Sequence, residues 1–129
     1  MDVGGGTSAT APCKTIQYAV NQSGSGDEIR IAAYDVTSSG FPPVTTTNTC
    51  VYTGTNTAVI SLGSGKSLSL KGGYIYIVTG GIWYEGIVPP VVNGENARRG
   101  LYATAGDDDT NHIELLEFVN GAAADGANV

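Results

Sequence analysis

Basic side chains are few in this chain: six Lys and Arg stand against twelve Asp and Glu, leaving a formal charge of −6. Nucleic-acid binding rests on clustered Lys and Arg that neutralise phosphates. The one basic pair, Arg98–Arg99, sits in the turn-like context NGENARRG, so nucleic acid is excluded as an expected partner. Charge of either sign is thin, at 14% of residues, which matches a charged helical bundle poorly. No apolar run approaches the roughly 20 residues that span a bilayer, and no membrane insertion is expected. Cysteine is limited to Cys13 and Cys50, in neither a metal-type nor a redox-type spacing. Two readings remain for them, one disulfide or two buried thiols, and the extracellular look of the composition favours the disulfide.

What the chain does contain is glycine, threonine and short apolar clusters. Nineteen glycines and fourteen threonines accompany 41% hydrophobic residues, a composition for strands and turns around a core. Helical periodicity occurs once. Ile16, Ala19 and Val20 fall at i, i+3, i+4 within Thr15 to Gln22, one face of about two turns. The glycines of SGSG end it, and EIRIAA then alternates as a half-buried strand, with Ile29 and Ile31 on one face. Residues 34–57, with two prolines and a threonine cluster, read as an irregular excursion at an edge. Strand-like segments follow at AVISL, KSLSLKGGYIYIVTGG, PPVVNGENARRGLYA and HIELLEFVNG, closed by Gly-Gly or Asn-Gly.

Leu68, Val91 and Glu114 lie 23 residues apart, each near the start of a strand, and Asn93–Gly94 and Asn120–Gly121 repeat one turn chemistry. A period a little above 20 without helices predicts the coil of a parallel β-helix, whose open first coil the short helix would cap. An antiparallel β-sandwich, with turn signals every 8 to 12 residues, is the alternative.

PCKTIQYAVNQSGSGDEIRIAA resembles the N-terminal cap and first strand of right-handed parallel β-helix proteins of the pectate-lyase-like superfamily. The likeness is to large secreted bacterial members. KSLSLKGGY (Lys66 to Tyr74), NGENARRGLY (Asn93 to Tyr102) and IELLEFVNG (Ile113 to Gly121) continue it. The resemblance implies an all-β fold: a short right-handed parallel β-helix over residues 13–129, capped at 13–27, after a flexible leader at 1–12. It implies export to the extracellular space or cell surface. It does not settle activity, because a fold hosts many functions. Relatives of this kind continue for many more coils, so the chain is expected either to be part of a longer protein or to have its open end completed by another copy.

Few residues invite chemistry. Asp107, Asp108 and Asp109, followed by His112, could serve acid–base work on a glycan or hold calcium, the one cofactor considered. A solvated Asp-rich turn explains them more simply. Lys71 and Arg98–Arg99 have no partner visible in sequence. Ser61, Ser67 and Ser69 lack a nucleophile elbow, and SLGSGKSLSL lacks the first glycine of a phosphate-binding loop. Tyr74, Tyr76, Trp83 and Tyr84 gather within eleven residues; with Ile75 and Ile77 inward, Tyr74 and Tyr76 would face outward as surfaces for sugar rings. Packing of these aromatics against residues 34–57 or a neighbouring chain is the favoured reading. The expectation is a non-catalytic structural or surface protein that associates head to tail with itself through Ile113, Leu115, Leu116 and Phe118. Polysaccharide binding or cleavage is the alternative.

Overall fold

The computed structural model describes residues 15–104 and 109–122. The expected helix is α1 (Ile16–Gln22). Thr15 caps it by accepting a hydrogen bond from the Tyr18 N–H, and Ile16, Ala19 and Val20 are buried on its inner face. At its end the Ser23 hydroxyl donates to the Ala19 carbonyl at 2.6 Å, and a Ser25–Gly26 turn leads into the first strand. Gly26 has φ +93°, a conformation open to glycine and strained for other residues.

Ten strands follow among the described residues: β1 (Glu28–Ser39), β2 (Val44–Thr49), β3 (Val51–Tyr52), β4 (Ala58–Leu62), β5 (Ser69–Ile77), β6 (Ile82–Glu85), β7 (Val91–Asn93), β8 (Arg99–Ala103), β9 (His112–Glu114) and β10 (Glu117–Val119). Half of the described residues are in strands and 7% in helix, so the protein is all-β-dominated. The largest sheet has the order β2-β1-β5-β6, with β9 also on β5; β10-β7-β3 and β4-β8 form two smaller sheets.

Three parallel ladders organise these strands. Glu28, Ile29 and Arg30 of β1 pair with Ser69, Leu70 and Lys71 of β5, which pair in turn with His112, Ile113 and Glu114 of β9. Val51 and Tyr52 of β3 lie beside Val91 and Val92 of β7, and β7 beside Glu117 to Val119 of β10. β4 pairs with β8, Ile60 opposite Leu101. The core lies between the ladders and α1, built from Ile16, Val20, Ile29, Ile31, Tyr52, Ile60, Leu68, Leu70 and Val92, all buried. Each large aliphatic side chain so buried contributes roughly 1.5–3 kcal/mol. Inside it, the Tyr52 hydroxyl donates to the Ala32 carbonyl at 2.8 Å, which satisfies a polar atom that burial would otherwise penalise.

The right-handed solenoid that the family resemblance implies is not what the chain forms. The main sheet is mixed and curled, because two antiparallel hairpins, β1–β2 and β5–β6, are built into it. The 23-residue period is also corrected. Leu68 precedes β5, Val91 opens β7 in another sheet, and Glu114 closes β9. True ladder neighbours such as Ile29, Leu70 and Ile113 are separated by 41 and 43 residues. The hairpins and loops between rungs break the regular spacing that a uniform coil requires. An antiparallel sandwich does not fit either, since the ladders just described are parallel.

The excursion at residues 34–57 is more ordered than its prolines and threonines suggest. Tyr34 to Ser39 pair with Val44 to Thr49 around a turn at Gly40 to Pro43. β2 is the outer strand of the main sheet, and every residue of it is exposed. β2 is held by its ladder and not by core packing. Cys50, directly after it, is fully buried and disulfide-bonded; its expected partner Cys13 lies outside the described residues.

Candidate functional site

Residues paired directly across strands share a sheet face. Two polar rows therefore cross β1, β5 and β9 on the face away from Ile29 and Leu70: Glu28–Ser69–His112 and Arg30–Lys71–Glu114. Each strand carries the same local pattern of polar, apolar, polar, which aims both flanking side chains outward. The next rung along, Tyr74 of β5, pairs with Glu85 of β6.

Lys71 Nζ lies 2.7 Å from Glu85 Oε1, and the Tyr74 hydroxyl donates to the same oxygen at 3.2 Å. The Tyr74 ring lies under two cations, with the Arg30 guanidinium 5.6 Å and the Lys71 ammonium 6.0 Å from its centroid. Arg30 is also 3.6 Å from Glu28. A groove of ≈ 420 Å³ opens here, lined by Lys71, Gly72, Tyr74, Glu85, Gly86, Glu114 and Leu115. A smaller depression of ≈ 120 Å³ continues past Lys71 to Glu28, Ser69 and His112. Gly72 is required at the floor, because a Cβ there would strike the Leu115 carbonyl and the Pro90 ring.

The charges in the groove hold one another. The hydrogen bond from Lys71 draws the Glu85 carboxyl below the usual carboxylate range, and the same bond raises the Lys71 ammonium. Burial pushes the Tyr74 phenol up. Lys71 is thus kept protonated and Glu85 ionised at neutral pH. A general acid needs a raised carboxyl, and a basic lysine a lowered one. This trio is suited to donating and accepting hydrogen bonds, and poorly suited to moving protons.

The aromatic residues singled out in sequence come together, but not as an exposed platform. Tyr74 and Tyr76 are buried, Trp83 is half-buried and only Tyr84 is exposed. Tyr76 packs on Trp83 at 5.1 Å between centroids, and Tyr74 meets the same indole edge-on at 6.2 Å. The indole N–H of Trp83 is buried without a hydrogen-bond partner. The reading that Ile75 and Ile77 point inward and both tyrosines outward is corrected. The buried positions of β5 keep one parity from Leu70 through Tyr74 to Tyr76, across the register shifts against β1 and the φ of +84° at Gly73.

Of the acidic loop, Asp107 and Asp108 lie outside the described residues. The Asp109 carboxylate accepts a hydrogen bond from the Gly65 N–H at 2.8 Å, a turn-holding role. Among the described residues no three His, Cys, Asp or Glu side chains are grouped to hold a metal. Arg98 is tied to Glu95 at 2.6 Å, and the Arg99 guanidinium lies over the Tyr102 ring at 5.1 Å. No described helix is long and apolar enough to cross a membrane.

The expected assembly residues sit at one end of the ladders. Ile29 and Leu70 are 0% and 1% exposed, whereas Ile113, next in the same row, is 37% exposed. Tyr52 and Val92 are sealed, whereas Phe118 beside Val92 is only partly buried. Leu115 is exposed and Leu116 packs at the margin of the core. Among the described residues no strand pairs with the outer edges of β8, β9 or β10. At the opposite end, the Gln17 side-chain amide takes the place of a neighbouring strand. Its Nε2 donates to the Ser61 carbonyl at 3.1 Å, and its Oε1 accepts from the Ser61 N–H at 2.6 Å.

Sequence reading missed the Lys71–Glu85–Glu114 groove because its parts are 14 to 43 residues apart. The available signal was the triplet set Glu28-Ile29-Arg30, Ser69-Leu70-Lys71 and His112-Ile113-Glu114, which the ladder stacks in register. Comparison with protein-family models, with curated proteins and with solved structures finds no match.

Proposed function

We infer that this is a non-catalytic structural protein of the extracellular space or cell surface, which associates with further copies of itself through the end formed by β8, β9 and β10. One observation carries this reading: the inward row Ile29–Leu70–Ile113 is sealed at its first two rungs and open at the third. Unpaired strand edges beside partly exposed apolar side chains are a template for another chain. The shielding of the β4 edge by Gln17 makes the two ends unlike, so contact between them is heterologous and extends head to tail. The disulfide at Cys50 supports an oxidising location. Light scattering on a concentration series tests the reading. Wild type is expected to grow in mass well beyond a dimer, and Ile113→Lys to lose that growth; a wild type that never exceeds a dimer at high concentration sinks it.

A second reading, polysaccharide binding, is favoured by the groove. Lys71, Glu85, Tyr74 and Glu114 present donors and acceptors around a ≈ 420 Å³ space of a size that takes small ligands. Calorimetric titration with polysaccharide fragments should give binding that Lys71→Ala and Glu114→Ala weaken. Heat of binding unchanged in both variants would remove the groove from the account.

A further inference from the structure

The upper half of the main sheet carries a second surface, separate from the strand end and from the groove. Register places two rows across all four strands: Thr49–Tyr34–Ile75–Tyr84 and Thr47–Val36–Ile77–Ile82. Their six apolar members, Tyr34, Val36, Ile75, Ile77, Ile82 and Tyr84, all keep partial or full exposure. No side chain in either row is charged, in a chain of net charge −6. The opposite face of the same strands holds Asp35 and Glu85 together with the buried Tyr76.

We propose that this uncharged face binds a second copy of the chain, sheet against sheet, in a two-fold dimer. Three features select that occupant. Two acidic copies repel wherever their carboxylates approach, and this face lets them meet without bringing charges together. A two-fold axis along the strands sets β2 of one copy over β6 of the other. The hydroxyls of Thr49 and Tyr84 then oppose each other at the rim while Val36, Ile75 and Ile77 form the dry centre, an isologous contact. Packed sheets tilt by about 30° at a separation near 10 Å, which long side chains such as Tyr34 and Tyr84 bridge.

Area sets the strength. Four strands about 4.8 Å apart, two to three rows deep, give a face of roughly 20 by 15–20 Å. Two such faces bury roughly 600–800 Å², well below the ~1,200 Å² at which stable interfaces begin. The dimer is therefore weak and reversible, populated only toward the concentrated end of a series. It uses neither Ile113 nor the edges of β8 to β10, so it stands or falls independently of head-to-tail association.

Sedimentation velocity on the full chain tests it, with Ile82→Glu, Tyr84→Glu and Ile113→Lys beside wild type. The expected result is that Ile113→Lys, with its strand end blocked, still shows a monomer–dimer equilibrium, which Ile82→Glu or Tyr84→Glu added to it weakens at least tenfold. Wild type that stays monomeric to about 1 mM overturns the proposal, as does a dimer that only Ile113→Lys dissolves. Where a Glu variant fails to fold, hydrogen exchange on wild type decides: amides of residues 45–49 and 82–85 slow with concentration if the face is the interface, and are unaffected if it is not.

Discussion

At Tyr52 a single hydroxyl couples core packing to pH. Burial is the larger cause raising its phenol well above the ordinary value of 10.0, with the nearby Asp35 charge adding to the shift. The folded state thus prefers neutral Tyr52. Its contribution is fully present below the unfolded pKa and is lost as pH rises from about 10 toward the folded value. Tyr52→Phe removes the bond to the Ala32 carbonyl. It is expected to cost about 1 kcal/mol in urea unfolding at pH 7 and to flatten the loss of stability above pH 10. Equal alkaline slopes in both proteins would contradict the assignment. The role of Tyr52 could not be read from sequence, because its acceptor lies 20 residues away on another strand. Gly94 is the opposite case. The paired Asn-Gly turns at 93–94 and 120–121 are legible, and they are adjacent in space: the Asn120 amide donates to Asn93 at 3.3 Å. A Cβ on Gly94 would run into the Arg98 and Asn120 carbonyls. Gly94→Ala should destabilise by about 1–3 kcal/mol, as overpacking does, measured as a fall in urea midpoint.

At the scale of elements, α1 was readable because its apolar positions fall on one face and glycines follow directly after it. Its contact with β4 was not readable: the Gln17 amide pairs with Ser61 across 44 residues. Ile16→Ala, at a fully buried position, should cost about 2–5 kcal/mol and raise proteolysis at β4. Unchanged stability would mean that the helix is ornamental. The β5–β6 hairpin shows what alternation leaves open. Tyr74-Ile75-Tyr76-Ile77 alternates, and the buried parity runs unbroken from Leu70 to Tyr76, but four alternating apolar residues do not say by themselves which parity faces the core. Cys50, directly after β2, is buried and disulfide-bonded. Reduction should lower stability by about 2–4 kcal/mol, read as a shift in urea midpoint with and without reductant.

For the whole molecule, strand content and the all-β class were legible, while the arrangement was not. Short apolar runs announce strands, but the order in which they pair depends on contacts 41 to 43 residues apart, beyond the reach of a 23-residue pattern. The resulting ladders have unlike ends, and that asymmetry is the central claim. In β8, β9 and β10 the N–H groups of Arg99, His112 and Glu117 point inward to Thr57, Leu68 and Pro90. By strand alternation the next amides, Gly100, Ile113 and Phe118, point outward. The most direct test is hydrogen exchange of those three amides over a concentration series. The account predicts that they slow as concentration rises, while the amides of Arg99, His112 and Glu117 change little. Outward amides that exchange at the same rate from dilute to concentrated solution would contradict it.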